Sequence, residues 1–139
     1  MNDFTIKTHR TGTDYATTHF FILNKGQNCG KPLKTACPNC FVLLFDSESK
    51  AENYYWLAYS LWMSCYWHQF LIGSVIPYFR IDSFASEYQK KARRMLFDFD
   101  QHQKQVKALR LLEAHEEITR KQLYLIKIMR QRVLSWYTR

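Results

Sequence analysis

The strongest constraint in this sequence is a long stretch near its end that lacks helix-breaking residues. From Gln101 to Tyr137 there is no glycine and no proline, and apolar residues recur mostly at steps of three and four, as at Ile126, Met129 and Val133. This pattern predicts one amphipathic helix of about 35 residues, or roughly 50 Å at 1.5 Å per residue. Such a helix exceeds the diameter of a small domain, so part of its apolar face should seek another helix.

The positive charge is concentrated in the same part of the chain. The 139 residues carry 20 lysines and arginines and 12 acidic residues, for a net charge of +8. Residues 1–89 hold seven of each sign, whereas residues 90–139 hold thirteen basic and five acidic residues, which is the whole excess. The sequence therefore predicts a neutral body joined to a basic helical arm, and an anionic partner becomes a reasonable expectation.

Several locations and classes are disfavoured by the same composition. The first ten residues are polar and mixed in charge, which does not fit a secretory signal. The longest largely apolar segment, Tyr54–Val75, is interrupted by polar residues and does not fit a membrane span. Without an export signal the four cysteines are expected to be reduced thiols. We therefore expect a cytoplasmic protein without a membrane partner.

The rest of the chain alternates between short strand patterns and helix patterns. The strands are predicted at Phe4–Thr8, His19–Leu23 and Cys40–Phe45, and a turn-and-strand segment at Gly73–Ile81. Helices are predicted at Glu48–Trp67 and from Asp82 to Met95, with a break near Phe97–Asp100. The predicted fold is α+β: a small sheet packed with an aromatic helix, followed by the long amphipathic helix. We place a globular domain at residues 1–100 and the helical arm at residues 101–139.

A Cys-Pro-Asn-Cys segment at 37–40 has the spacing of half a zinc site. Cys29 and Cys65, or His68 in place of Cys65, could complete four ligands with Cys37 and Cys40. The simpler interpretation is a turn at Pro38-Asn39 that opens a buried strand, because a second CxxC motif is missing. We expect no bound metal and no cofactor.

Two basic segments could contact phosphates. The loop Asn24–Thr35 contains two glycines and three lysines, but it lacks the spacing of a nucleotide-binding P-loop. A loop that touches a DNA backbone needs only flexibility and charge, and an ordinary solvated loop is the alternative. The run Lys90, Lys91, Arg93 and Arg94 contains no acid, although a run like this is usually a solvated helix face.

The aromatic helix and the histidines give no catalytic site. Residues 54–67 are rich in Tyr and Trp but contain no Lys or Arg, so an aromatic core is favoured over base stacking. The five histidines form no HExxH motif, and no GxSxG motif is present. We therefore expect a protein that is not an enzyme.

The order of parts resembles half of a type I restriction–modification specificity subunit, in which a target-recognition domain precedes a long spacer helix. The residues that carry the resemblance are, in order, NCFVLLF (39–45), YYWLAYSLW (54–62), GSVIPYFRIDSF (73–84) and the helix at 103–137. The sequence departs from that pattern at 85–103, where such subunits have a proline-rich stretch. Over its whole length the chain is also similar to an uncharacterised family of small proteins from gut-bacterial mobile elements, through the pattern LNKGxNxGKP, CPNCF and GSVIP.

The resemblance to specificity subunits implies a DNA-binding module that reads double-stranded DNA with its globular part. It implies a DNA face made of Lys25, Asn28, Lys31 and Arg80, with the Lys90–Arg94 run supplying phosphate contacts. The long helix would then pair with a second copy or with a methyltransferase-type subunit. Two alternatives remain: a protein-interaction modulator or inhibitor encoded by a mobile element, without DNA binding, and a small metal-binding or enzymatic domain.

Overall fold

A computed structural model describes residues 3–139 and divides the chain into two units, one ending at Asp98 and one running from Phe99 to Arg139. This division lies two residues before the predicted one. In the described part of the first unit, four strands form an antiparallel sheet, with strand order β1-β4-β2-β3. The strands are β1 (Phe4–Thr8), β2 (Thr18–Leu23), β3 (Pro32–Leu33) and β4 (Cys40–Phe45).

The central strand β4 is buried on both faces, as its continuous apolar sequence predicts. Alternate residues point to opposite sides of the sheet, so Phe41 and Leu43 join the main core while Val42 joins a smaller cluster with Phe21. The short edge strand β3 was not predicted. Its proline lacks an N–H donor and is tolerated there because an edge strand leaves one row of backbone groups unpaired.

Two helices cover the main-core face of the sheet, α1 (Glu48–Met63) and α2 (Ile81–Phe97). Ser47 caps α1 by accepting a hydrogen bond from the Lys50 amide at 3.3 Å. The two helices are joined by a buried hydrogen bond, in which the Tyr88 hydroxyl donates to the Tyr54 carbonyl at 2.5 Å. The main core is therefore aromatic, as the composition indicates.

The first helix ends four residues before its predicted end. Cys65 adopts a left-handed conformation with φ of 57°, and a 3₁₀ turn at Tyr66–Phe70 follows. This bend carries Trp67 into the core, where only 1% of it is exposed. The burial of Trp67 outweighs the local preference for helix. The helical pattern of the sequence therefore does not predict that α1 ends at Met63.

The second unit is one continuous helix, α3 (Phe99–Leu134), followed by a 3₁₀ turn at Ser135–Thr138. The predicted long C-terminal helix and the predicted α+β fold class are thus confirmed. Asp98 lies between α2 and α3 with φ of −122° and ψ of 63°, outside helical geometry. The predicted break near Phe97–Asp100 therefore falls at this residue.

Candidate nucleic-acid interface

An open cleft of the first unit, with a volume of about 780 Å³, lies beside the end of β2 and the start of β4. Asn24 and Lys25 line it from the chain after β2, and Asn39 from the residue before β4. The segment from Val75 to Asp82, which leads into α2, forms the opposite wall. Three pieces of chain that are distant in sequence thus meet at one site.

Backbone hydrogen bonds hold these three pieces together. The Asn24 amide donates to the Asn39 carbonyl at 3.0 Å, and the Phe79 amide donates to the Asn24 carbonyl at 3.3 Å. The Gly26 amide donates to the Pro77 carbonyl at 2.7 Å. Because these bonds are between main-chain groups, they fix the cleft floor while leaving the side chains free to contact a ligand.

One wall of the cleft is a tight loop, which we call the tip loop (Ile72–Tyr78). Its two end residues exchange backbone hydrogen bonds of 2.7 and 2.9 Å. Gly73 has a φ of +97°, and a Cβ added there would lie 2.9 Å from the Ile76 carbonyl oxygen, so only glycine fits. The predicted turn-and-strand segment at Gly73–Ile81 thus contains the turn but no continuous strand: Tyr78 makes isolated bridges to Lys25 and to Ile72.

The tip loop presents apolar side chains to solvent. Val75 is 87% exposed and Ile76 is 54% exposed, yet both line the cleft. Ile72 and Tyr78 at the base of the loop are exposed as well, so the tip loop carries a contiguous apolar surface, which is typical of a binding site.

The cleft carries two cations without a counter-ion. Lys25 and Arg80 both line it, and in the described part of the chain the side chain of neither has an ion-pair or hydrogen-bond partner. Asp82 is the single acidic residue among the lining residues. Cations and amide side chains together suit phosphate oxygens and base edges, because they offer N–H donors with and without charge.

The four residues predicted for a DNA face do not all meet here. Lys25 and Arg80 share the cleft, and Asn28 is exposed on the same loop as Lys25. Lys31 is half-buried, with its ammonium 5.1 Å from the centre of the Trp62 ring on α1. Lys31 is thus engaged in a cation–π contact rather than in the cleft.

The basic run on α2 does not form a single patch. Lys90 forms an ion pair with Glu87 at 2.9 Å, and the Lys91 ammonium lies 4.6 Å from the centre of the Tyr66 ring. Arg93 lines a separate small cavity, and Arg94 is exposed. A helix distributes adjacent side chains around its axis, so four neighbouring cations point in different directions.

One carboxylate on α2, that of Glu87, neutralises part of this basic run. Glu87 accepts hydrogen bonds from Lys90 at 2.9 Å and from the Tyr66 hydroxyl at 3.0 Å. These two donors hold the pKa of the Glu87 carboxyl below its usual value. Part of the predicted cationic cluster is therefore already satisfied within the protein.

Sequence reasoning missed four lining residues, two amides and two apolar residues of the tip loop: Asn24, Asn39, Val75 and Ile76. The amides were assigned to loop or turn composition alone. Gly73 and Pro77 predict the turn, but nothing in the local sequence indicates that Val75 and Ile76 between them line a cleft.

The cysteines do not converge. Cys29 and Cys40 are buried in different hydrophobic clusters, and burial raises the pKa of each thiol to about 11. The Cys40 thiol donates to the Cys37 carbonyl at 3.0 Å, as expected for the turn interpretation. Cys65 is exposed. Among residues 3–139 there is no group of three or more histidine, cysteine or acidic side chains placed to hold a metal ion.

A second candidate surface lies on α3. Between Leu111 and Tyr137, thirteen large apolar side chains have at least 40% of their surface exposed: Leu111, Leu112, Ile118, Leu123, Tyr124, Leu125, Ile126, Ile128, Met129, Val133, Leu134, Trp136 and Tyr137. The unit is a single helix and cannot bury them against itself. Residues 118–139 also contain six lysines and arginines and no acidic residue. In the described chain, no helix combines the length and the apolarity that crossing a membrane requires.

Comparison with known proteins places this small α+β chain in a family. Residues 6–136 match DUF6943, a family of unknown function, and the chain therefore belongs to that family. No curated protein matches the sequence, and no solved structure matches it either.

Proposed function

We propose that the protein binds double-stranded DNA through the cleft that contains Lys25 and Arg80. The observation that carries this proposal is that two cations distant in sequence line the same open cleft and have no counter-ion in the described chain. Several other lysines of the first unit are engaged: Lys50 pairs with Asp46, and Lys34 lies over the Tyr55 ring. In the described chain, neither cleft cation takes part in a salt bridge or in a cation–π contact.

The surrounding groups suit a nucleic acid better than a small anion. Asn24 and Asn39 add neutral amide donors and acceptors beside the charges, and the cleft is open rather than enclosed. Phosphate contacts position a protein on a duplex, while amides can read base edges. With free cysteine thiols and an overall charge of +8, we place this activity in the cytoplasm.

The test is a fluorescence anisotropy titration of the full-length protein with duplex DNA at two salt concentrations. Affinity should fall steeply with salt, and each lost phosphate contact should lower the log–log salt slope by about 0.9. Lys25→Ala and Arg80→Ala should therefore weaken binding and reduce the slope. Lys34→Ala is the matched control, because that lysine lies over an aromatic ring instead of in the cleft. Absence of binding by the wild-type protein at both salt concentrations would exclude the proposal.

A second candidate function, protein interaction through α3, is favoured by the exposed apolar side chains on that helix. Helices of this length gain most of their stability by packing against another helix. The resemblance described above suggests a second copy or a methyltransferase-type subunit as the partner. A modulator encoded by a mobile element would use the same surface.

Nuclease treatment separates the two candidates. A partner held by α3 should remain bound to the tagged protein after the lysate is digested with nuclease, and Leu125→Asp/Met129→Asp should release it. The same substitutions should leave DNA affinity at the cleft unchanged. Light scattering of the purified protein then distinguishes a second copy from a foreign partner.

A further inference from the structure

We propose that Val75 and Ile76 form a wedge that inserts between base steps of the bound duplex and bends it. This inference rests on the proposed DNA binding and specifies how the DNA is bound. The two residues stand at the exposed end of the tip loop, and they line the same cleft as Lys25 and Arg80. An apolar wedge flanked by cations and amides is the combination that proteins use to unstack a base step from the minor groove.

The tip loop has the rigidity that a wedge requires. The paired backbone hydrogen bonds between Ile72 and Tyr78 close the loop, and Pro77 is anchored by the Gly26 amide at 2.7 Å. The Cys29 thiol also donates to the Pro77 carbonyl at 3.6 Å. Below this anchor, Phe79 is buried with only 3% of its surface exposed. The loop is thus fixed to the core at its base while its end stays in solvent.

The side chains themselves are suited to the role. Valine and isoleucine are branched at Cβ and have few χ1 rotamers, so little conformational freedom is lost when they enter a stack. They are also apolar, which makes their solvent exposure unfavourable in the unbound protein. Insertion between bases removes both side chains from water.

The charges explain why the occupant should be DNA rather than an apolar protein surface. Lys25 and Arg80 lie beside the tip without partners in the described chain, so burying the tip against an uncharged surface would also desolvate two cations. On a duplex, phosphates on either side of the kinked step would supply the missing counter-charges. Charge complementarity therefore favours double-stranded DNA, whose phosphates are anionic and whose stacked bases can accept apolar side chains.

The experiment measures bending and binding separately. Duplex DNA carrying a fluorescent donor and acceptor at its two ends reports bending, and anisotropy of the same duplex reports binding. A 2-aminopurine base scanned through the site reports local unstacking. At low salt, the wild-type protein should bend the duplex by roughly 20–90° and increase the 2-aminopurine emission.

The serine variant Val75→Ser/Ile76→Ser should still bind, with affinity lowered by about three- to tenfold, but should leave the duplex straight and stacked. Both side chains are exposed, so this variant should fold normally. Met63→Ser is the matched control, since Met63 is also an exposed apolar residue, 56% exposed, but lies on α1. It should bend DNA as the wild type does.

The outcomes distinguish the wedge from DNA binding itself. A wild-type protein that binds a straight duplex, or a serine variant that bends as strongly as the wild type, overturns the wedge and leaves the DNA-binding proposal intact. No anisotropy change with wild-type protein at low salt overturns both. A serine variant that loses a protein partner while bending DNA normally would show that the tip docks protein instead, which also overturns the wedge.

Discussion

The first unit and α3 differ in where their apolar side chains are buried. In the first unit, sheet and helices share a core in which Phe84 and Tyr88 are fully buried and their rings stack 5.1 Å apart. Most large apolar residues of α3 are exposed, and the second unit has no core of its own. The first unit can therefore be stable through its own contacts, whereas α3 has backbone hydrogen bonds and pairs along its surface, and the protein interaction proposed above would add packing against another helix.

The first unit and α3 also differ in how their charged side chains are paired. In the first unit, several cations are engaged by aromatic rings or carboxylates, whereas Lys25 and Arg80 line a shaped cleft without an ion-pair partner in the described residues. On α3, the ion pairs are between residues one turn apart, such as Arg120 and Glu116. A specific site is therefore expected on the first unit, and a broad docking surface on α3.

The largest effect is expected from Phe84→Ala, which tests whether burial differs between the first unit and α3. Phe84 is fully buried and contacts the rings of Trp67 and Tyr88 at 4.9 and 5.1 Å, so its loss should reduce the free energy of unfolding by about 3–5 kcal/mol. Leu125→Ala on α3 should change it by less than about 0.5 kcal/mol, because Leu125 is 56% exposed. Urea denaturation followed by circular dichroism measures both. Equal losses in dilute protein would mean that α3 belongs to a packed core.

A second test uses two glycines with similar backbone angles. Gly30 has a φ of +92° and Gly12 a φ of +85°, but an added Cβ would lie 2.2 Å from Trp67 Cδ1 at Gly30 and in open space at Gly12. Gly30→Ala should lower the free energy of unfolding by about 2–4 kcal/mol, because it adds both backbone strain and the clash with Trp67. Gly12→Ala should cost about 1 kcal/mol, from strain alone. Similar losses in thermal unfolding would show that the contact between Gly30 and Trp67 is loose.

A third test uses pH, because the buried core contains neutral ionisable groups. Burial raises the pKa of Cys29 and Cys40 from 9.0 to about 11, and it raises the pKa of Tyr54 above its usual value of 10.0. The unfolded chain loses these protons first, so stability is full below pH 9 and falls as the pH rises through 9–11, by up to about 1.4 kcal/mol per pH unit for each group.

The urea midpoint measured from pH 7 to pH 11 should follow this decline. Tyr54→Phe should flatten it above pH 10, since one proton-releasing group is gone. The Tyr54 hydroxyl donates to Asp3 at 3.0 Å, so the variant also loses that bond at every pH. A midpoint that stays constant up to pH 11 would contradict the burial of these groups.

The smallest effect is expected on the surface of α3. Glu116 accepts a hydrogen bond from Arg120 at 2.6 Å, and both side chains are more than half exposed. Glu116→Ala should lower the stability of the helix by about 0.3–0.5 kcal/mol, and salt should remove most of that difference. Gln122→Ala, which removes no ion pair, is the control. A loss of several kcal/mol in circular dichroism would place Glu116 in an interface.

The sequence by itself determined the elements whose pattern is continuous. Strand β4 (Cys40–Phe45) was predicted at its observed bounds, because an unbroken apolar run fits a strand buried on both faces. Helix α3 was predicted because 37 residues without glycine or proline leave helix as the structure that satisfies the backbone. The concentration of charge toward the C-terminal end is likewise a property of the sequence alone.

Only the tertiary structure decided which of these residues meet. The end of α1 at Met63 depends on the burial of Trp67, and the exposure of Val75 and Ile76 depends on an anchor to the distant residue Gly26. Lys25 and Arg80 come together while Lys31 turns to a tryptophan ring. Local periodicity reports the preferences of neighbouring residues. A cleft is formed by backbone hydrogen bonds and packing between segments that are far apart in the chain, and no local sequence pattern predicts those contacts.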